Sequence, residues 1–114
     1  MKKERINNLK QFFYEDLVNN TLPFWINNSV DREFGGFNTF LDRKGVILCT
    51  DKSTWVQGRV TWLFSKLYCD LEKRDEWLEL AGHGAEFLKK YGFDTDGRMF
   101  FRVTQDGRPL RKRR

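Results

Sequence analysis

Residues 51–68 read DKSTWVQGRVTWLFSKLY. At about 100° per residue, Trp55, Arg59, Trp62 and Lys66 fall on one narrow stripe of a helix. Val56, Val60, Leu63, Leu67 and Leu71 form a second, aliphatic stripe roughly a quarter to a third of a turn away. The aliphatic stripe reads as core. Indoles alternating with cations need another explanation. The pattern predicts a helix that starts near Ser53 or Thr54, capped by Asp51 or Ser53, and runs to about Lys73.

Upstream, Ile6, Leu9, Phe13 and Leu17 recur at helical spacing over residues 4–20. Pro23 is expected to end or bend that helix near Leu22, with PFWINN forming a further turn. In DREFGGFNTFLDRKGVIL, Gly35 and Gly36 break the helix. Phe37–Leu41 and Val46–Leu48 flank a DRKG turn and read as a short hairpin. Downstream, a third helix is expected after Asp75 as N-cap and continues to about Tyr91. It places Trp77, Ala81, Gly84, Leu88 and Tyr91 on one face, with Gly82 and Gly84 allowing close helix approach. Gly92 is its stop. DTDGRMFFRVTQDGRPL then offers two Asp-Gly turns around a strand at Arg98–Val103. A further strand begun at Leu110 has no room to complete itself. The expected class is all-α with small β-hairpins, in one domain over residues 1–114 and with no second domain.

Composition narrows the function. Eleven Phe, four Trp and three Tyr in 114 residues supply large apolar surfaces that must be covered. The net charge of +5 is a property of the end of the chain, because RPLRKRR (residues 108–114) holds five basic groups and no acidic one. The first 107 residues carry 16 basic and 16 acidic groups, which gives a nucleic acid no electrostatic footprint. Cys49 and Cys69 stand outside any CxxC or histidine cluster and read as reduced thiols, so no metal site is expected. No apolar run is long enough to span a bilayer, and MKKERINNLKQFF lacks the apolar stretch of a signal peptide. A soluble cytoplasmic protein with no membrane or nucleic-acid partner is expected.

The order LPFWINNSVDREFGGFNTFLDRKG, TDKSTWVQGRVTWLFSKLY, LEKRDEWLELAGHGAEFLKKYG and DGRMFFRVTQDGRPL closely resembles the N-terminal part of N-acylglucosamine 2-epimerases. The specific feature is the spacing from Asp31-Gly35-Gly36-Phe37 to Trp55-x-Gln57-x-Arg59-x-x-Trp62. The resemblance implies an (α/α)6 barrel, of which these residues are the first quarter to third. It also implies C2 epimerisation of N-acetylglucosamine to N-acetylmannosamine, or of cellobiose, mannose and similar aldoses, without metal or redox cofactor. Such chemistry opens the sugar to an aldehyde, removes the C2 proton from one face and returns a proton to the other. A positive group must face the oxygen of the enediolate.

The family's acid–base pair is two histidines downstream of this region. His83, the chain's one histidine, matches neither and reads as a packing or helix-surface residue, so the segment alone is expected to be inactive. Arg59 aligns with the arginine that contacts the O1 and O5 region and stabilises the enediolate, and is the catalytic candidate. Trp55 and Trp62 beside it fit a sugar site, since aromatic faces stack on pyranose rings. The plainer alternative makes Arg59 a helix cap or a snorkelling charge between core tryptophans. Gln57 belongs to the motif and is a candidate substrate contact or a buried hydrogen-bonding residue. Gly58 replaces a bulkier polar residue of some relatives and is expected only to alter helix packing. Lys66 reads as a solvated charge, and Asp31, Glu33 and Asp51 as loop caps.

A different class of function stays open: a non-catalytic helical module that self-associates or binds a protein. A mammalian family member also known as a renin-binding protein is its precedent. The aromatic-rich, thin core favours a homo-oligomer on either reading.

Overall fold

The structure, a computed structural model, describes residues 2–111. Among them the order is α1 (Lys2–Asp16), α2 (Leu22–Ser29), β1 (Phe40–Leu41), β2 (Ile47–Cys49), β3 (Lys52–Ser53), α3 (Thr54–Lys66), α4 (Asp75–Tyr91), β4 (Arg102–Val103) and β5 (Pro109–Arg111). A widened π turn follows α1 at Leu17–Thr21 and α3 at Leu67–Leu71. The chain is mostly helical with two small antiparallel sheets. Lys112–Arg114, the last part of the basic end, lie outside the described residues.

Pro23 does not end the first helical segment. It occupies the first turn of α2, and Asp16, Thr21 and Leu22 all keep right-handed helical geometry. The π turn carries the chain across, with the Leu22 N–H donating to Leu17 O, so that Pro23 has neither an amide to satisfy nor a ring clash with the preceding turn. No residue of α1 is buried. Its Tyr14 hydroxyl donates to the Glu72 carboxylate in the α3–α4 connection.

The main core lies where α3 packs along α4, around Phe37, Phe64, Leu67, Trp77, Leu80 and Ala81, with Leu22 of α2 joining it. The buried face of α3 is Thr54, Gln57 and Phe64, continued by Leu67, and it is rotated from the aliphatic stripe: Leu63 and Leu71 are exposed. Phe37 accounts for the rotation. The loop after α2 inserts it between α3 and α4, where its ring stacks on Phe64 at 6.1 Å and meets His83 edge-on at 5.5 Å. Close approach is left to Gly84 alone. A Cβ there would collide with Thr61 Oγ1 and lie 2.8 Å from Phe37 Cε2, whereas one on Gly82 would meet nothing within 4 Å. Arg74 rather than Asp75 occupies the N-cap position of α4, without a side-chain cap bond; Asp75 and Glu76 sit in the first turn, where negative charge meets the positive helix end.

Gly35 and Gly36 break the chain as expected, with φ of +90° and +67°. β1 and β2 form the expected hairpin, closed by a turn in which Asp42 accepts the Lys44 and Val46 amides. The second sheet differs from expectation. The strand expected over residues 98–103 shortens to β4, β5 completes a strand with it, and β3 pairs on its other side to give the order β3-β4-β5. One partner of β4, β5, is local, but the other, β3, comes from about fifty residues upstream, beyond the reach of any local pattern.

Candidate functional site

The first turns of α3 form one wall of an open cleft of 390 Å³, lined by Thr54, Trp55, Gly58, Arg59, Trp62 and Met99. Trp55 and Trp62 are 66% and 56% exposed, and neither packs into the core formed by the described residues. They stand seven residues apart, about 10.5 Å along the helix axis. The Arg59 guanidinium lies over the Trp55 ring, 4.8 Å from its centroid. Among the described residues no carboxylate pairs with Arg59 and no hydrogen bond holds it. The cleft therefore presents a fixed cation, two indoles and a thioether to whatever enters it. Lys66, on the same stripe, is taken up by Asp70 at 2.5 Å.

Two side chains, Thr54 and Lys52, hold this wall in place. Thr54 N donates to Phe101 O at 3.3 Å, and the Thr54 hydroxyl donates to Phe100 O. These bonds set the segment carrying Met99 against the start of α3. Lys52, fully buried two residues before the helix, donates to Asp31 Oδ2 and Gly35 O at 2.7 Å and to Gln105 O at 3.0 Å. Its ammonium also lies over the Phe87 ring, 4.8 Å from the centroid. Burial on its own raises the Asp31 carboxyl, but Lys52, the Phe34 amide and Gln105 outweigh it and hold the group below its ordinary value. Burial pushes the Lys52 ammonium down, and Asp31 offsets part of that.

Gln57 is not in the cleft. It is fully buried on the opposite side of α3, where its Oε1 accepts from Phe37 N–H and its Nε2 donates to Phe37 O, both at 2.8 Å. Of its two sequence readings, the geometry fits the buried hydrogen-bonding one. His83 accompanies it as a packing residue, with Nε2 2.8 Å from Gly36 O. Asp31 does cap its loop, accepting the Glu33 and Phe34 amides, but the buried ion pair with Lys52 is a second task that loop capping did not foresee. Asp51 makes no cap; it pairs with Arg102 at 3.3 Å.

Sequence reasoning singled out Trp55, Arg59 and Trp62, and the structure brings them together. It missed Met99, Thr54 and Lys52. Neither Lys52 nor Met99 left a signal in the residues around it, since the partner of Lys52, Asp31, lies 21 residues upstream. Among the described residues no group of three His, Cys, Asp or Glu could hold a metal ion, and no helix is long and apolar enough to cross a membrane.

Comparison with known proteins places these features in a family. Residues 35–114 match the family model described as N-acylglucosamine 2-epimerase. The N-acylglucosamine 2-epimerase of Rattus norvegicus is 38% identical over 120 positions, which cover 100% of this chain and 28% of the rat protein. The cellobiose 2-epimerase of Bacteroides fragilis is 29% identical over 90% of this chain and 26% of its own. The solved structure of the cellobiose 2-epimerase from Bacillus thermoamylovorans B4167 superposes with a TM-score of 0.83 at 29% identity, over 91% of this chain and 27% of that one. The chain thus spans about a quarter of the length of the relatives it matches. With the Gly35-Gly36-Phe37 loop and the Trp55–Arg59–Trp62 face inside the matched region, the chain belongs to the N-acylglucosamine 2-epimerase family.

Proposed function

We propose that this chain is the N-terminal part of a carbohydrate 2-epimerase, an isomerase built as an (α/α)6 barrel, in which the cleft along α3 is one wall of the sugar site. The observation that carries the reading is Arg59, held over Trp55 with no carboxylate partner among the described residues, in a cleft flanked by Trp62. A guanidinium without a partner supplies the positive charge that an enediolate oxygen needs, and the indole faces supply a surface for the C–H face of a pyranose. Both N-acylglucosamine and cellobiose 2-epimerases are similar over this stretch. We take N-acetylglucosamine and N-acetylmannosamine as the sugars, interconverted by removal and return of the C2 proton. The chain's single histidine is engaged with Gly36, so the 114 residues alone bind sugar without turning it over. Gln57, Lys52 and Thr54 act by holding the cleft wall. Two free cysteines fit a reducing, cytoplasmic setting.

The test is transplantation. Residues 1–114 replace the matching segment of the rat N-acylglucosamine 2-epimerase, and interconversion is followed by proton NMR in heavy water. The reading expects an active chimera that loses about 100-fold or more of kcat/KM on Arg59→Ala, the scale of one lost oxyanion donor. An Arg59→Ala chimera as active as its parent would contradict it.

One observation favours a second reading, self-association. Ile6, Leu9, Phe12 and Phe13 of α1 are 45–64% exposed on a helix that buries nothing. A second copy laying its own α1 along that face would cover both.

A further inference from the structure

Gly58 stands in the middle of α3, where glycine is a poorer helix former than any residue except proline. Neither usual structural reason for a glycine applies. Its backbone is not left-handed, and a Cβ built on it meets only Leu88 Cδ1 at 3.9 Å, an ordinary van der Waals contact. Gly84 shows what a packing requirement looks like in the same helix pair, since a Cβ there collides with Thr61. The expectation is that glycine in place of a bulkier polar residue only alters helix packing, and Leu88 of α4 is the one neighbour a Cβ here would touch. The side of α3 that it leaves bare is the wall of the cleft, among Trp55, Arg59 and Trp62.

We propose that Gly58 is a specificity-determining residue, leaving a methyl-sized seat in the cleft for the acyl methyl of a 2-acylamido sugar; this rests on the cleft being the sugar site. An N-acyl group at C2 carries one methyl that a plain aldose lacks. The cleft offers that methyl apolar neighbours in the two indoles and the Met99 thioether. Arg59, on the same wall, can donate to an acyl or ring oxygen of the same ligand. An alanine at position 58 would put its own methyl where the substrate's methyl sits, and a close-packed site cannot hold both. Without ligand that space is open, so the substitution costs the free protein nothing in packing. Glycine is disfavoured in the helix and unneeded by its neighbours among the described residues, and a ligand in the cleft gives it a reason.

The experiment measures binding of N-acetylglucosamine and of glucose to the 114-residue chain, by indole fluorescence and saturation-transfer NMR, in wild type and Gly58→Ala. Melting is followed in parallel. The wild type is expected to bind the N-acetyl sugar about tenfold more tightly than glucose, the lower end of what one buried methyl discriminates. Gly58→Ala is expected to bring the two affinities together by weakening only the N-acetyl sugar, with a melting temperature equal to or above wild type. A preference unchanged in Gly58→Ala, or no preference in the wild type, overturns the inference and leaves the sugar reading standing. Wild type that binds neither sugar overturns the sugar reading of the cleft, and this inference with it.

Discussion

The Lys52 ammonium lies 2.7 Å from Asp31 Oδ2, with the two side chains 0% and 4% exposed. The pair ties the loop after α2 to β3, which leads into α3, and Gln105 Nε2 joins from the last hairpin at 3.1 Å to Asp31 Oδ2. Removing one charge strands the other in the interior. Lys52→Met or Asp31→Asn should each cost about 3–5 kcal/mol in urea unfolding, and the double variant less than the sum. Strict additivity would mean the two groups do not depend on each other.

The same pair sets an acid limit. The folded Asp31 carboxyl titrates below its unfolded value of 3.8. Its contribution to stability is thus complete above that value and is lost as pH falls through the lower folded one. Stability followed against pH should decline on the acid side in wild type, and less steeply in Asp31→Asn. Equal slopes would show that Asp31 carries none of the acid sensitivity.

Gln57 satisfies both backbone groups of Phe37 from a fully buried position. Gln57→Ala leaves two buried polar groups unpaired, at about 1–3 kcal/mol each. Gln57→Glu retains the acceptor and loses the donor. Both variants should melt lower than wild type, Gln57→Ala by more. Sugar affinity, measured well below the melting temperature, should change less than twofold in either, because the side chain lies across the helix from the cleft.

Trp55 and Arg59 should show the opposite pattern. Both are exposed, so Trp55→Ala and Arg59→Gln should stay within about 0.5–1 kcal/mol of wild-type stability, the size of an exposed cation–π contact. Sugar affinity should fall about 3- to 10-fold in Trp55→Ala, in keeping with 0.5–1.5 kcal/mol for an aromatic contact. Unchanged affinity would remove Trp55 from the site.

The apolar face of α1 predicts self-association. Light scattering over a concentration series should show an oligomer that Phe12→Lys with Phe13→Lys reduces to monomer. A wild-type chain that is monomeric throughout the series would exclude association through this face.

Local signals carried most of the helices. The period around Trp55–Tyr68 and the stop at Gly92 need only neighbours in sequence, and α3 and α4 lie close to where the pattern puts them. What the pattern could not give was rotation. The spacing of Val56, Leu63 and Leu71 suggested an aliphatic core face, but Phe37, brought in by a loop some twenty residues earlier, turned the buried side toward Gln57 and Phe64. Pro23 misled for a related reason: a π turn absorbs the missing amide, and such turns leave no mark in residue type. The site divides the same way. Trp55, Arg59 and Trp62 share one helix face and were legible together, while Met99 and Lys52 reach it through strand pairing and a buried ion pair, both long-range in sequence.

The central claim is that sugar binds along the Trp55–Arg59–Trp62 face, and the four indole N–H signals in a 15N-resolved NMR titration test it most directly. Trp77 is buried and Trp25 borders a separate cavity with Phe24 and Arg43, so both serve as internal controls. On adding N-acetylglucosamine, the Trp55 and Trp62 signals should move together along a saturable curve while those of Trp25 and Trp77 stay in place. Saturable movement of Trp25 alone, or of none of the four, would contradict the account.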